Sequence, residues 1–241
     1  FVPTPFRRRL EAMRWIALPF LLFYAPVAFA CELALVVALD VSRSGDKAEY
    51  KLMRDGIASA FGDDEVLEWI EWMPGGVMVT VTQWGGAGQQ RQAIPWQRLQ
   101  DRASVVQFVE NFTDVTRGFW MADTSVSEAL LHADAMFGPQ VALCRRRVID
   151  VSGDGISNAG PDVPPISRAI GRKGVTINGL VVSGAKPDPV SWFLDRVIGG
   201  PFSFVEVADS YSDYPRAMKR KLLREMTPAL AGLQPPAPGS R

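Results

Sequence analysis

Residues 32–44 read Glu-Leu-Ala-Leu-Val-Val-Ala-Leu-Asp-Val-Ser-Arg-Ser. The first eight are almost continuously apolar. A run this short cannot be a membrane span, and it lacks the alternation of a strand with one wet face. It predicts a strand covered on both faces, as in a parallel sheet. The polar stretch Asp40-Val41-Ser42-Arg43-Ser44 then falls where that strand ends. In open α/β sheets, ligands bind outside the C-terminal ends of the strands.

Apolar periodicity extends the pattern along the chain. Residues 47–61 predict a helix with Tyr50, Met53, Ile57 and Phe61 on one face. A helix over 64–73 stops at Pro74-Gly75-Gly76. A strand over 77–84 turns at 85–88 into a hairpin partner at 91–96. Helices follow at 101–112 and 125–137, the latter with Val126, Ala129, Leu130, Ala133 and Phe137 inward. Residues 147–151 form a second buried strand, ending in Ser152-Gly153-Asp154-Gly155. Then come a helix at 162–172, a strand at 175–182, a helix at 189–197, a strand at 202–207 and a closing helix at 213–226. Strands alternating with helices predict an α/β fold: a doubly wound, mostly parallel six-stranded sheet with helices on both faces and one antiparallel edge strand.

The ends differ from this domain, placed at residues 31–226. Arg7, Arg8, Arg9 and Arg14 precede an apolar run from Trp15 to Ala30 that contains Pro19 and Pro26 and ends Ala28-Phe29-Ala30. A basic start, a short apolar stretch and a small-x-small ending predict a signal peptide over 1–30, or an N-terminal anchor if it is not cleaved. The protein is therefore expected to be exported, to the periplasm or beyond. Ala28 stands where lipoprotein processing would favour leucine, and three adjacent arginines are common in ordinary leaders. The tail over 227–241 ends Gln-Pro-Pro-Ala-Pro-Gly-Ser-Arg and is expected to be disordered.

Of 26 basic and 26 acidic residues, the leader takes four arginines and Glu11, which leaves a weakly acidic domain. Such a balance gives no electrostatic grip on nucleic acid or on an anionic membrane. The chain has two cysteines: Cys31 lies nine residues before Asp40, and Cys144 ten before Asp154. If the two strands are neighbours, both cysteines fall side by side at the end opposite the aspartates. With export to an oxidising compartment, this predicts a Cys31–Cys144 disulfide. It closes a long loop, worth about 4 kcal/mol in the chain-entropy model.

Asp40, Ser42 and Ser44 converge at one strand end. Asp154 follows another strand between two glycines, and Thr124 opens the helix after the 118–123 loop. This set resembles the von Willebrand factor A family and its metal-ion-dependent adhesion site. The family pattern is Asp-x-Ser-x-Ser after the first strand, a threonine in a middle loop and an aspartate after a later strand. The resemblance covers residues 32–226. The stretches VIDVSGDGISNAG (148–160), Gln89-Gln90-Arg91 ahead of Pro95-Trp96, and VIGGPFSFVEVA (197–208) are similar to a little-characterised group of exported bacterial proteins with this domain. Arg43 stands where many members have glycine, at a position that supplies no ligand side chain.

The resemblance implies a divalent cation held by Asp40, Ser42, Ser44, Thr124 and Asp154. An all-oxygen set suits Mg²⁺, or alternatively Mn²⁺ or Ca²⁺. Three of the five ligands are neutral hydroxyls, so the ion keeps an open position that a carboxylate of a protein partner can fill. Arg43, Phe119 and Trp120 are the candidate partner contacts around it. The alternative for each residue is local work: aspartates capping turns, and hydroxyls capping helices.

Catalysis fits less well. His132, the one histidine, falls off the inward stripe of its helix and is expected on the surface. Ser152 is flanked two residues away by Asp150 and Asp154, not by the glycines of a nucleophile elbow, and no histidine follows it. The cluster at 85–88 lacks the spacing of a phosphate loop. The expected function is metal-bridged protein binding without catalysis. A metal-independent scaffold is the alternative, and a metal-dependent hydrolase a third.

Overall fold

The computed structural model describes residues 30–42, 46–120 and 122–227. Residues 1–29, 43–45, 121 and 228–241 lie outside the described residues, and with them the expected leader, most of the tail, the candidate contact Arg43 and the expected metal ligand Ser44.

The ten residues of β1 (Cys31–Asp40) are all buried. The strand sits inside a six-stranded sheet of order β3-β2-β1-β4-β5-β6. It pairs in parallel with β2 (Val77–Trp84) and with β4 (Cys144–Gly153). The strand β5 (Val175–Val182) continues the parallel set, and β6 (Val205–Ala208) closes it. Only β3 (Gln90–Leu99) runs antiparallel, at the edge. Pro95 lies in that edge strand, where a missing backbone donor is tolerated.

Alternate residues of β1 serve two cores. Leu33, Leu35, Val37 and Leu39 pack with α1 (Lys47–Phe61), α2 (Asp64–Trp72), α3 (Arg102–Thr113) and α7 (Tyr214–Met226). Val36 and Ala38 face α4 (Val126–Ala135), α5 (Val163–Arg172) and α6 (Pro189–Arg196). This two-sided burial is why the strand reads as an unbroken apolar run. The chain leaves β1 towards β2 on one side and returns to β4 on the other. Strand order therefore reverses between β1 and β4, and the C-terminal ends of these two strands frame a crevice.

Three local expectations change. The strand expected at 202–207 begins only at Val205, because Phe202 takes a positive φ of 57° and Gly200 one of 80°. The second buried strand is longer than 147–151 and starts at Cys144. Arg145, Arg146 and Arg147 at its start read in sequence as solvated charge, yet Arg146 is half-buried, and its Nη1 donates to the Glu225 carbonyl at 2.7 Å. His132 is half-buried too, with its Nε2 buried and without a hydrogen-bond partner among the described residues. Burial pushes its pKa down.

Two features hold the end of the sheet away from the crevice. Cys31 and Cys144 are register partners and form a disulfide, with Cα atoms 4.5 Å apart. Nearer the middle, Lys221 of α7 is fully buried between Asp150 of β4 (2.8 Å) and Glu225 (2.5 Å). Glu225 also accepts from Asn178 Nδ2 at 2.7 Å. Burying these charges is costly, but removing one partner costs more, because it strands the others.

The double variant Cys31→Ser/Cys144→Ser is expected to lose about 4 kcal/mol by chain entropy, read as a lower urea midpoint. The native protein should take up no thiol label without reductant. Lys221→Met should cost about 3–5 kcal/mol by chemical denaturation, since Asp150 and Glu225 remain buried without their cation.

Candidate metal centre

Asp40 is the last residue of β1, and its side chain enters the crevice. The residue is 5% exposed. Oδ1 accepts from the Ser42 backbone amide at 2.7 Å, which folds the chain back in an Asx turn. Oδ2 is buried and has no hydrogen-bond partner among the described residues. The Asp40 amide donates to Ser152 Oγ at 3.2 Å, and that hydroxyl donates to the Ala38 carbonyl at 3.3 Å. Ser152 is thus a strut between β1 and β4.

Asp154 stands just past β4, on the facing wall. The Tyr211 hydroxyl donates to its Oδ2 at 2.6 Å. Asp40, Ser42, Asp154, Tyr211, Tyr50 and Arg117 line one cleft of about 10 Å³, room for roughly one water-sized particle. Gly153 lets the walls approach: a Cβ there would lie 3.0 Å from the Phe193 ring and 3.6 Å from Asp40 Oδ2. Burial pushes the Asp40 carboxyl up to about 7, and the neighbouring Asp154 carboxylate pushes the same way.

Thr124 is on the adjacent loop and is not on the wall of that cleft. It does not cap α4 either; that position belongs to Ser125, whose side chain makes no cap bond. Its backbone is held instead. Asn158 Oδ1 accepts from the Thr124 amide at 2.9 Å, while the Thr124 carbonyl accepts from the amides of Asn158 (2.9 Å) and Ala159 (3.1 Å) and from Ser157 Oγ (3.1 Å). The loop after β4, which carries Asp154, thereby fixes the loop that carries Thr124. Of the five expected ligands, Asp40, Ser42 and Asp154 share the cleft, Thr124 is beside it, and Ser44 lies outside the described residues.

Sequence reasoning missed three supporting residues. Arg117 is 9% exposed, and its Nη2 donates to the carbonyls of Val41 (3.0 Å) and Ser42 (2.5 Å). Its Nε donates to Phe119 O at 3.1 Å, so it ties the loop after β1 to the 118–123 loop. Tyr211 and Asn158 are the others. Asn158 lies inside the 148–160 stretch, and Tyr211 comes three residues after the last strand; both positions point to the binding edge. Of the two aromatics, Phe119 packs against the larger core. Trp120 is 53% exposed, with the Arg117 guanidinium 4.6 Å and the Lys47 ammonium 5.6 Å from its ring centre.

Among the described residues, no group of three or more His, Cys, Asp or Glu side chains could hold a metal. A cation here would need hydroxyl ligands beside the two aspartates. The donors present fit a hard ion: two carboxylates and a serine hydroxyl at a crevice, with one carboxylate oxygen left over by the protein.

The architecture and the placement of the site at the reversal of strand order define a von Willebrand factor A fold. Solved structures agree. A proximal thread matrix protein from the mussel byssus, described with a zinc-occupied MIDAS motif, superposes with a TM-score of 0.60 at 16% identity, over 83% of this chain and 47% of that one. A von Willebrand factor type A structure from Catenulispora acidiphila gives 0.58 at 15%, over 81% and 43%. This chain thus spans about half the length of those two. An aerotolerance-related membrane protein from Bacteroides fragilis gives 0.50 at 16%, over 80% and 99%. No curated protein matches the sequence. The chain belongs to the family described as "Protein of unknown function (DUF1194)", whose model matches residues 30–230.

The raised pKa of Asp40 has a signed consequence. The folded, metal-free protein holds a proton on Asp40 up to about pH 7, whereas the unfolded chain releases it near 4. This contribution to stability is present in full below pH 4 and is lost as pH rises to about 7. A divalent ion bound at Asp40 would compete with that proton. The rise in melting temperature on adding Mg²⁺ should therefore be larger at pH 8 than at pH 6, and Asp40→Asn should remove the difference.

Proposed function

We propose that this chain is an exported, non-catalytic von Willebrand factor A domain that holds one divalent cation and uses it to bind a protein. The ligands would be Asp40, Ser42, Ser44, Thr124 and Asp154, with Mg²⁺ the first choice and Mn²⁺ or Ca²⁺ the alternatives. The observation that carries this reading is Asp40 Oδ2, a buried carboxylate oxygen without a protein partner beside a second carboxylate. Two carboxylates facing one small cleft repel each other, and a cation between them relieves the repulsion.

A bound divalent ion with few anionic ligands would supply an electron-poor open position that accepts a carboxylate. This chain's residues then position and steer. Arg117 holds the Asp40–Ser42 turn, Asn158 holds the Thr124 loop, and Tyr211 orients Asp154. Beside the cleft, Trp120 offers an aromatic surface flanked by Lys47 and Arg117, and Arg43 stands four residues before Lys47 in sequence. An acidic protein segment suits those cations. Phe119 serves its own loop.

Catalysis has little support. Ser152 Oγ is engaged by the Asp40 amide and the Ala38 carbonyl, and His132 lies on α4 with its pKa depressed by burial. Export is supported by the disulfide, which suits an oxidising compartment. None of the described helices is long and apolar enough to cross a membrane.

Millimolar Mg²⁺ or Mn²⁺ should raise the melting temperature, EDTA should reverse the rise, and Asp40→Ala should abolish it. A pull-down from envelope extract should recover a partner with Mg²⁺ and lose it with EDTA. Equal recovery in both arms would leave a metal-independent scaffold as the better account, and metal-dependent turnover of a generic phosphate ester would argue for a hydrolase.

A further inference from the structure

The pole opposite the metal centre holds a larger cavity, of about 360 Å³. It lies at the starts of β4 and β5, under the end of α7 and beside the 199–204 loop. It exists because β6 is short: it pairs with β5 only from Gly179 onward. The earlier residues of β5 are met by the loop instead. Ile177 and Gly199 form an isolated bridge, Thr176 Oγ1 donates to Pro201 O at 2.8 Å, and the Phe204 amide donates to Asn178 Oδ1 at 3.1 Å. Gly200 is required there, since a Cβ would lie 2.1 Å from Val175 O.

Arg145, Arg146, Arg147 and Arg224 line the cavity, against Glu32 and Glu225. Glu32 is shared by Arg145 (3.6 Å) and Arg146 (3.4 Å), and Glu225 is held by the buried Lys221. Among the described residues, Arg147 and Arg224 have no carboxylate partner, although Arg147 Nη2 donates to the Lys173 carbonyl at 2.6 Å; Arg146 Nε faces Glu32, while its Nη2 is buried without a hydrogen-bond acceptor. The wall thus carries four guanidinium groups against two carboxylates. An apolar surface adjoins it. The Arg224 guanidinium stacks 3.8 Å from the centre of the buried Phe204 ring. Phe202 lies 77% exposed on a backbone with φ of 57°, a conformation that a bulky residue rarely adopts. The loop's closure over β5 thus displays an aromatic ring at the rim of a charged cavity.

The geometry points to a second binding site, for a small organic anion with an apolar body: a carboxylate that meets the arginine wall while its aromatic or aliphatic portion lies against Phe202 at the rim, beside the Arg224–Phe204 stack. The volume is within the range of small-ligand pockets. Guanidinium groups pair with planar carboxylates better than ammonium groups do. This site is independent of the metal reading, because no residue is common to the two.

Calorimetric titration of the EDTA-treated protein provides the test, with phenylacetate and hexanoate as probes. Inorganic phosphate supplies charge without a body, and benzyl alcohol a body without charge. Both carboxylates should bind at least tenfold more tightly than either control. Arg224→Gln, a change at an exposed side chain, should weaken phenylacetate tenfold or more. Phe202→Ala should weaken it several-fold, with circular dichroism unchanged in both variants. Asp40→Ala should leave it unaltered, which separates this site from the metal centre. The proposal is overturned if benzyl alcohol or phosphate binds as well as phenylacetate, if neither carboxylate binds at millimolar concentration, or if both Arg224→Gln and Phe202→Ala bind phenylacetate as the parent does.

Discussion

The structure depends on a carboxylate placed where water is scarce. β1 is covered on both faces and both edges, so its last residue, Asp40, reaches the crevice from inside the protein. The loop amide of Ser42 satisfies one oxygen and leaves the other to face Asp154. Everything around it is arranged to hold that unfavourable pair in place. Ser152 braces the two strands, Gly153 lets them close, and Arg117 clasps the turn from behind through backbone carbonyls. Hydroxyls, amides and the Arg117 guanidinium hold the site together, and Asp40 Oδ2 still has no hydrogen-bond partner among the described residues.

Much of this was legible in the residues. A strand buried on both faces leaves an apolar run, and the run at 32–39 is one. The antiparallel hairpin was visible because the turn at 85–88 separates two strand-like stretches, and the disulfide because offsets of nine and ten residues from two strand-end aspartates put both cysteines at one level of the sheet. Other features depend on contacts between segments far apart in sequence. Thr124 looks like a helix cap by its local setting, yet its backbone is fixed by Asn158, which is 34 residues away. Arg117 carries no pattern that marks it as a clasp. The loop at 202–204 reads as strand because Phe-Ser-Phe-Val has strand composition. Positive φ values at Gly200 and Phe202 break it, and those follow from how the loop closes over β5.

The arginine triplet shows how the same residue types change meaning with depth. At the mouth of a strand, three consecutive arginines read as solvated charge. Here β4 starts earlier than its apolar core suggests. Arg146 is drawn against Glu32 and the end of α7, and burial lowers its pKa. The polar interior of this end, with Lys221 fully enclosed by two carboxylates, is built from α7 side chains spaced four apart, Lys221 and Glu225. Their pattern on a helical wheel resembles any surface ion pair.

The disulfide also determines how the domain would carry load. A pull on residue 30 would ordinarily draw β1 out along its own axis, past its two neighbours. With Cys31 joined to Cys144, the same pull reaches β4 at once, and the two strands that frame the crevice must move together. Tension entering at that pole is spread over the centre of the sheet before it can alter the spacing of Asp40 and Asp154. The covalent link therefore acts as a mechanical ground for the opposite edge, keeping its geometry insensitive to what happens at the start of the fold.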